Sequence, residues 1–226
     1  MRYLYLEAPF AAFRTFTGGS FRPTAGFITP SAVYGLLLNA AGLEMRYDDG
    51  RSPMTLIGKG LPRIQLAIAA LEWPGRHSLL QQLHNYPIGK SGEGHAGNTK
   101  GSKYNIIPVR REFLSGVRAY IGFDCDEELE KDIVEGLAGR RSRAYGLPFL
   151  GDSNFLIDRL EPVEKPQPAF WFERVEEEQE GFRDHITRVT VTIDRADLSR
   201  IRSTLYAPCV ERTTIPPAGA WVEVCY

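Results

Sequence analysis

Five cations, Lys90, Lys100, Lys103, Arg110 and Arg111, stand in or just beyond a stretch with no hydrophobic periodicity. It reads His84-Asn-Tyr-Pro-Ile-Gly-Lys-Ser-Gly-Glu-Gly-His-Ala-Gly-Asn-Thr-Lys-Gly-Ser-Lys103 and re-enters order at Tyr104-Asn-Ile-Ile-Pro-Val-Arg-Arg111. Glu93 and Glu112 oppose the cations. A net-positive arm carrying Ser, Asn and Thr donors suits a phosphate backbone, which is held by charge and neutral donors without regard to sequence. This composition builds no packed core, and so long a structureless segment inside a domain is usually functional or disordered. The bland alternative is a solvated flap.

Within the arm, His95 has the chemistry of a general base for attack by an RNA 2′-hydroxyl, or is a solvated loop histidine. The other histidines, His77, His84 and His185, show no metal-ligand spacing, and neither do Cys125, Cys209 and Cys225. No metal and no cofactor is expected. A Walker loop, a dinucleotide fingerprint and a nucleophile elbow are all missing from the sequence. The acidic run Glu176–Glu180 reads as a solvated hairpin tip.

Three further groups fit nucleic acid. Arg14 stands with Phe13 and Phe16, and Arg22 with Phe21, on either side of a Gly18-Gly19 turn. Arginines beside aromatics hold single-stranded RNA through phosphate contacts and stacking, although the phenylalanines fit a core equally well. Arg140, Arg141 and Arg143 form a second patch near Tyr145. Gly146-Leu-Pro-Phe-Leu-Gly151-Asp-Ser-Asn154 demands a sharply defined turn, and a structural role outranks ligand contact there.

The chain that must position these residues has 226 amino acids, 43% of them hydrophobic and 24% charged, with a net charge of −1. Such a balance excludes a free-standing, strongly basic nucleic-acid binder, so any such role rests on a local patch within a larger assembly. The odd, scattered cysteines point to a reducing, cytoplasmic compartment. The early charges at Arg2 and Glu7 do not suit a signal peptide, and no apolar run reaches membrane-spanning length.

The elements read as α+β. Tyr3–Leu6 is apolar on both faces, as in a central strand, with Pro9 ending it or placing a bulge. Thr29 and Pro30 open a helix carrying Val33, Leu36, Leu37, Ala40 and Ala41, and Gly42 closes it. Gly35 inside it suggests close backbone approach. Arg63–Leu71 is a strand, with Ile64, Leu66 and Ile68 on one face. Val117, Ala119, Ile121 and Phe123 line another. Glu127–Leu137 is a helix with early acids, ended by Gly139 and followed by arginines that suit its dipole. This order gives most of a split βαβ, or ferredoxin-like, unit. Beyond Pro162, Pro166 and Pro168, Ala169–Val175 and Ile186–Ile193 read as strands joined across the acidic run. Asp194–Leu205 reads as a short helix and Trp221–Tyr226 as a closing strand.

Phe13-Arg14, the glycine turn and Phe27-Ile-Thr-Pro-Ser-Ala-Val-Tyr-Gly-Leu-Leu-Leu-Asn39 resemble the amino-terminal signature of the CRISPR-associated Cas-five family. Tyr145-Gly-Leu-Pro-Phe-Leu-Gly-Asp-Ser-Asn-Phe155 resembles its glycine motif, in the DevS-like branch. The resemblance implies a ferredoxin-like RAMP domain over residues 1–161, with a thumb-like β-hairpin at 84–113, and a β-rich portion over 162–226. It also implies a non-catalytic subunit of the type I Cascade complex that grips the five-prime handle of the crRNA. Implied partners are a Cas-seven type backbone subunit, a Cas-eight type large subunit and the target DNA. Arg14, Arg22, Tyr34, Lys90, Lys100, Lys103, Arg110, Arg111, Arg140, Arg141 and Arg143 are the expected RNA contacts. One branch of the family cleaves precursor RNA without metal, using a tyrosine, a lysine and an adjacent histidine. No Lys-His pair occurs here, so nuclease activity stands as the alternative.

Overall fold

The computed structural model describes residues 1–15, 20–52, 55–84, 106–143, 146–175 and 185–226. Phe16, the Gly18-Gly19 turn, Lys90, His95, Lys100, Lys103, Tyr145 and Glu176–Glu180 lie outside the described residues. The elements in chain order are β1 (Arg2–Ala11), β2 (Phe21–Arg22), α1 (Pro30–Ala41), β3 (Arg46–Tyr47), β4 (Leu56–Ile57), β5 (Ile64–Ala70), β6 (Gly75–His84) and β7 (Ile106–Asp124). They continue with α2 (Glu127–Leu137), β8 (Arg159–Val163), β9 (Phe170–Arg174), β10 (Thr187–Thr192), β11 (Arg202–Pro208) and β12 (Val222–Val224).

Most of these strands form one large sheet in the order β10-β11-β9-β5-β7-β1-β8. β12 also pairs with β5, and β2 and β6 pair with β7. All pairings are antiparallel except β2 with β7. The 19-residue β7 is the spine. Its inner half lies between β1 and β5, while its outer half runs from Ser115↔Gly75 to Ile106↔His84 against β6. The sequence assigns no element to 75–84, because Arg76, His77, Gln81 and Gln82 break the apolar alternation.

Both helices cover one sheet face. Leu4, Leu6, Ile64, Leu66, Ile121 and Phe123 are buried there beneath Val33, Leu37, Leu129 and Ile133. Burying each large aliphatic or aromatic side chain contributes about 1.5–3 kcal/mol. A smaller cluster, Ala67, Ala69, Tyr120, Ala169, Trp171 and Ala220, occupies the other face. Strands on both sides of position 161 share the sheet and the core, and β8 itself spans that position.

The helix termini follow local chemistry. Thr29 Oγ1 accepts from the Ala32 amide at 3.3 Å, and Gly42 takes φ 74°. Asp126 Oδ1 accepts from the Leu129 amide at 2.8 Å, and Gly139 takes φ 75°. In both helices the amide after the glycine bonds back to a last-turn carbonyl, Leu43 to Leu38 and Arg140 to Glu135.

Four local expectations are corrected. Gly35 is not the point of close approach, since a Cβ there would meet only Met45 Sδ at 3.7 Å. Gly136 is that point: a Cβ there would overlap the Ala40 carbonyl of α1. Pro9 neither ends β1 nor shifts its register, because Ala8↔Val117 and Phe10↔Ser115 follow one ladder. Residues 169–175 and 186–193 do not pair, because β11 lies between β9 and β10. Asp194–Leu205 is a 3-10 turn at Leu198–Arg200 followed by β11 rather than a helix, because Leu205 and Tyr206 are used in pairing with β10.

Gly136→Ala is expected to destabilise the protein by about 2–3 kcal/mol through overpacking against backbone. Gly35→Ala should instead be neutral or stabilising by up to about 1 kcal/mol through helix propensity. Urea unfolding of the two variants checks the pair.

Candidate nucleic-acid interface

Three of the expected arginines converge. Arg14, Arg22 and Arg111 line one concavity of about 180 Å3, together with Ala12, Pro23, Glu112 and Gly151. Arg14 is set by a short ladder between 12–15 and 23–25. In it the Phe13 amide donates to Thr24 Oγ1 at 2.8 Å, and the Ala25 amide donates to the Phe13 carbonyl at 2.8 Å. Arg22 is placed by the parallel pairing of β2 with β7, which sets it beside Arg111. Like charges side by side across a strand pair are destabilising, so a structure that keeps them there must offset them.

Part of the offset is internal. Arg111, 17% exposed, forms an ion pair with Asp152, and its other guanidinium nitrogen reaches the Gly151 carbonyl at 3.4 Å. Asp152 Oδ1 accepts from the Asn154 amide at 3.0 Å, which fixes the carboxylate. Glu112 accepts from the Thr24 amide at 3.1 Å and lies 3.6 Å from Arg76. Three guanidiniums thus line the cleft with one carboxylate, Glu112, and Asp152 reaches Arg111 from outside the lining; both carboxylates already have partners. Its wall depends on Gly151, whose φ of 84° is left-handed and whose Cα sits against the Ala12 carbonyl with no room for a side chain. The Ala12 amide donates to Leu150 O at 3.0 Å. The Phe13-Arg14 and Gly151-Asp152 motifs, far apart in sequence, are therefore the two walls of one cleft, with β7 as its floor.

The other expected contacts stand apart from it. Tyr34 leaves the set: it is fully buried in the core, its hydroxyl donates to the Pro62 carbonyl at 2.8 Å, and burial pushes its pKa up. Arg110 and Arg111, where the sequence is expected to re-enter order, sit in β7, opposite Leu80 and Leu79; Arg110 is exposed and its amide donates to Ser20 O at 2.7 Å. Arg141 pairs with Asp132, and Arg143 donates to the Gly136 carbonyl at 3.0 Å, so these two tie down the C-terminal end of α2. Arg140 lines a separate concavity of about 470 Å3 with Arg2 and Lys131 against Glu127, Glu130 and Glu135, a mixed surface rather than a basic one. Phe13 and Phe27 are core, the latter stacked on Phe172 at 3.5 Å, whereas Phe21 is exposed.

Sequence reasoning missed Arg195. Burial, then the nearby charges of Arg46 and Arg14, lower its pKa. It stands near Asp194 and Asp197 in a segment that the sequence reads only as a short helix. Those acids serve elsewhere: Asp194 accepts from the amides of Ala196 and Asp197, and Asp197 pairs with Arg200.

The fold is that of a mixed α/β protein built on one large antiparallel sheet, with a positively charged cleft at the edge of its central strands. The chain belongs to the CRISPR-associated protein (Cas_Cas5) family, whose model matches residues 3–204. A chain of a solved CRISPR RNA-guided surveillance complex is similar in fold, with a TM-score of 0.58 at 15% identity, covering 97% of this chain and 92% of that one. A crystal structure of a Cas protein is similar at 15% identity with a TM-score of 0.48, covering 96% of this chain and 98% of that one. No curated protein sequence matches. No helix among the described residues is long and apolar enough to cross a membrane.

The two best-placed arginines should behave oppositely as folding elements. Arg111→Ala leaves the Asp152 carboxylate without its partner and is expected to cost about 1–3 kcal/mol. Arg14→Ala, at an exposed position, should stay within about 0.5 kcal/mol of the parent. Chemical denaturation measures both.

Proposed function

We propose that this chain is the non-catalytic crRNA-binding subunit of a type I Cascade complex, holding the five-prime handle and capping the filament of backbone subunits. The observation that carries this reading is the convergence of two family motifs on one arginine-lined cleft. The strand order β8-β1-β7-β5, with α1 and α2 on one face, supports a ferredoxin-like unit as the platform. β6 and the outer half of β7 are proposed as the base of the thumb, carrying Lys90, Lys100 and Lys103 towards RNA and the adjacent backbone subunit. The large subunit and the target DNA complete the proposed partners. A net charge of −1 fits a subunit whose RNA affinity is shared across an assembly.

The non-catalytic assignment has support from Tyr34. A tyrosine whose hydroxyl is buried against a backbone carbonyl is not available to a 2′-hydroxyl. The general-base chemistry of RNA cleavage requires a group within hydrogen-bond reach of the reacting proton.

Purified protein, alone and with its backbone subunit, is expected to prefer handle RNA over a scrambled RNA of equal length, and to leave repeat RNA uncut in chelator. No preference would overturn the reading, and a single cut abolished by His95→Ala would replace it with the nuclease. Arg14→Ala should weaken binding to all single-stranded RNAs alike and flatten the dependence of log K on log salt by about 0.7.

A further inference from the structure

Beside the arginine cleft the sheet turns an aromatic ring outwards. Ala8 and Ala11 of β1 are buried, yet both residues between them, Pro9 and Phe10, are exposed. On the facing strand Val117 and Leu114 are buried, and Gly116 between them takes a left-handed φ of 66°. A proline that offers no amide opposite a left-handed glycine resets the pleat of both strands while keeping their register. The consequence is that Phe10 emerges on the surface, 43% exposed, where simple alternation from Ala8 would have buried it.

The ring is held from beneath. Phe113 meets it edge-on at 5.7 Å between centroids and 73° between planes, and Phe155 lies at 6.0 Å and 44°. Phe113 is in turn backed by His77 at 5.3 Å, whose Nε2 is hydrogen-bonded to Ser115 Oγ at 2.8 Å. The Arg111 guanidinium sits 5.6 Å from the Phe155 centroid. Arg111 therefore belongs to both neighbourhoods, lining the cleft with Arg14 and Arg22 while covering one ring of the aromatic cluster.

We propose that Phe10 is a stacking platform for an unpaired base of the RNA whose backbone lies in the Arg14–Arg22–Arg111 cleft. This rests on the RNA-binding reading above and adds to it a site for the base. A strand held by its phosphates leaves its bases to find apolar faces, and single-strand binders meet that need with aromatic rings beside a positive groove. An aromatic ring braced on its inner side, open on its outer side and joined to the cleft through Arg111 meets the same need. Stacking accepts any base, so the platform contributes affinity without reading sequence.

The test uses the full chain and single-stranded RNA carrying 2-aminopurine at successive positions. Phe10→Leu keeps apolar bulk and removes the ring; Phe10→Trp keeps a stacking surface. In the parent protein 2-aminopurine emission should be quenched at one position, and Phe10→Leu should restore it. Affinity should fall roughly tenfold to a hundredfold in Phe10→Leu with the salt dependence unchanged, and remain within about threefold of the parent in Phe10→Trp. Urea midpoints confirm that both variants fold; Phe10→Met replaces Phe10→Leu, and Phe10→Tyr replaces Phe10→Trp, where either does not. If Phe10→Leu matches the parent in RNA affinity and quenching, the stacking site is overturned, and weakened association with a protein subunit would reassign the ring to a protein contact. If the parent itself binds no RNA, the underlying reading fails and takes the platform with it.

Discussion

β7 must satisfy its backbone over 19 residues while passing from the centre of the sheet to a long pairing with β6. The inner half does so between β1 and β5, under two helices. The outer half pairs with β6, and the two residues of β2 pair with it at Arg110 and Arg111. The arginine cleft and Phe10 lie where one regime gives way to the other. There Gly116 resets the pleat, Phe10 is turned out, and Arg22 is set beside Arg111. A ladder of strong, obligatory hydrogen bonds fixes which residues become neighbours, and the side chains then live with the result.

One result is a local excess of positive charge in a nearly neutral chain. Arg22 and Arg111 are adjacent because their backbones pair, and Arg14 joins them across the 12–15 ladder. Asp152 offsets Arg111 from a turn that Gly151 alone permits. The remaining surplus makes a local field that a whole-chain charge of −1 conceals. Arg140, Arg141 and Arg143 look as basic in sequence but serve α2, through an ion pair to Asp132, a hydrogen bond to Gly136 and a mixed-charge surface.

Much of the scaffold was legible because its signals are local. Thr29, Pro30 and Gly42 bound α1 where they were read, and the limits of α2 agree with the expected Glu127–Leu137. Apolar alternation locates β5, the inner half of β7 and β10, and β9 and β12 fall within the stretches 169–175 and 221–226 that read as strands. The failures share a cause. β6 has no clean period because its order comes from pairing with β7. β11 was taken for a helix, and β9 and β10 for neighbours, because strand order is set by long-range pairing that no window of sequence contains.

The same division runs through the site. By itself the sequence determined the residue types, the caps, the glycine at 151 and the family signatures, since these depend on backbone conformation and short-range spacing. Only tertiary structure decided which arginines act together, that Tyr34 is interior, and that Phe10 faces outwards. Those outcomes depend on register, on a pleat reset shared by two strands more than 100 residues apart in the chain, and on an ion pair closed between a strand and a distant turn. A single glycine or proline is visible in sequence, but the partner opposite it exists only once the strands have met.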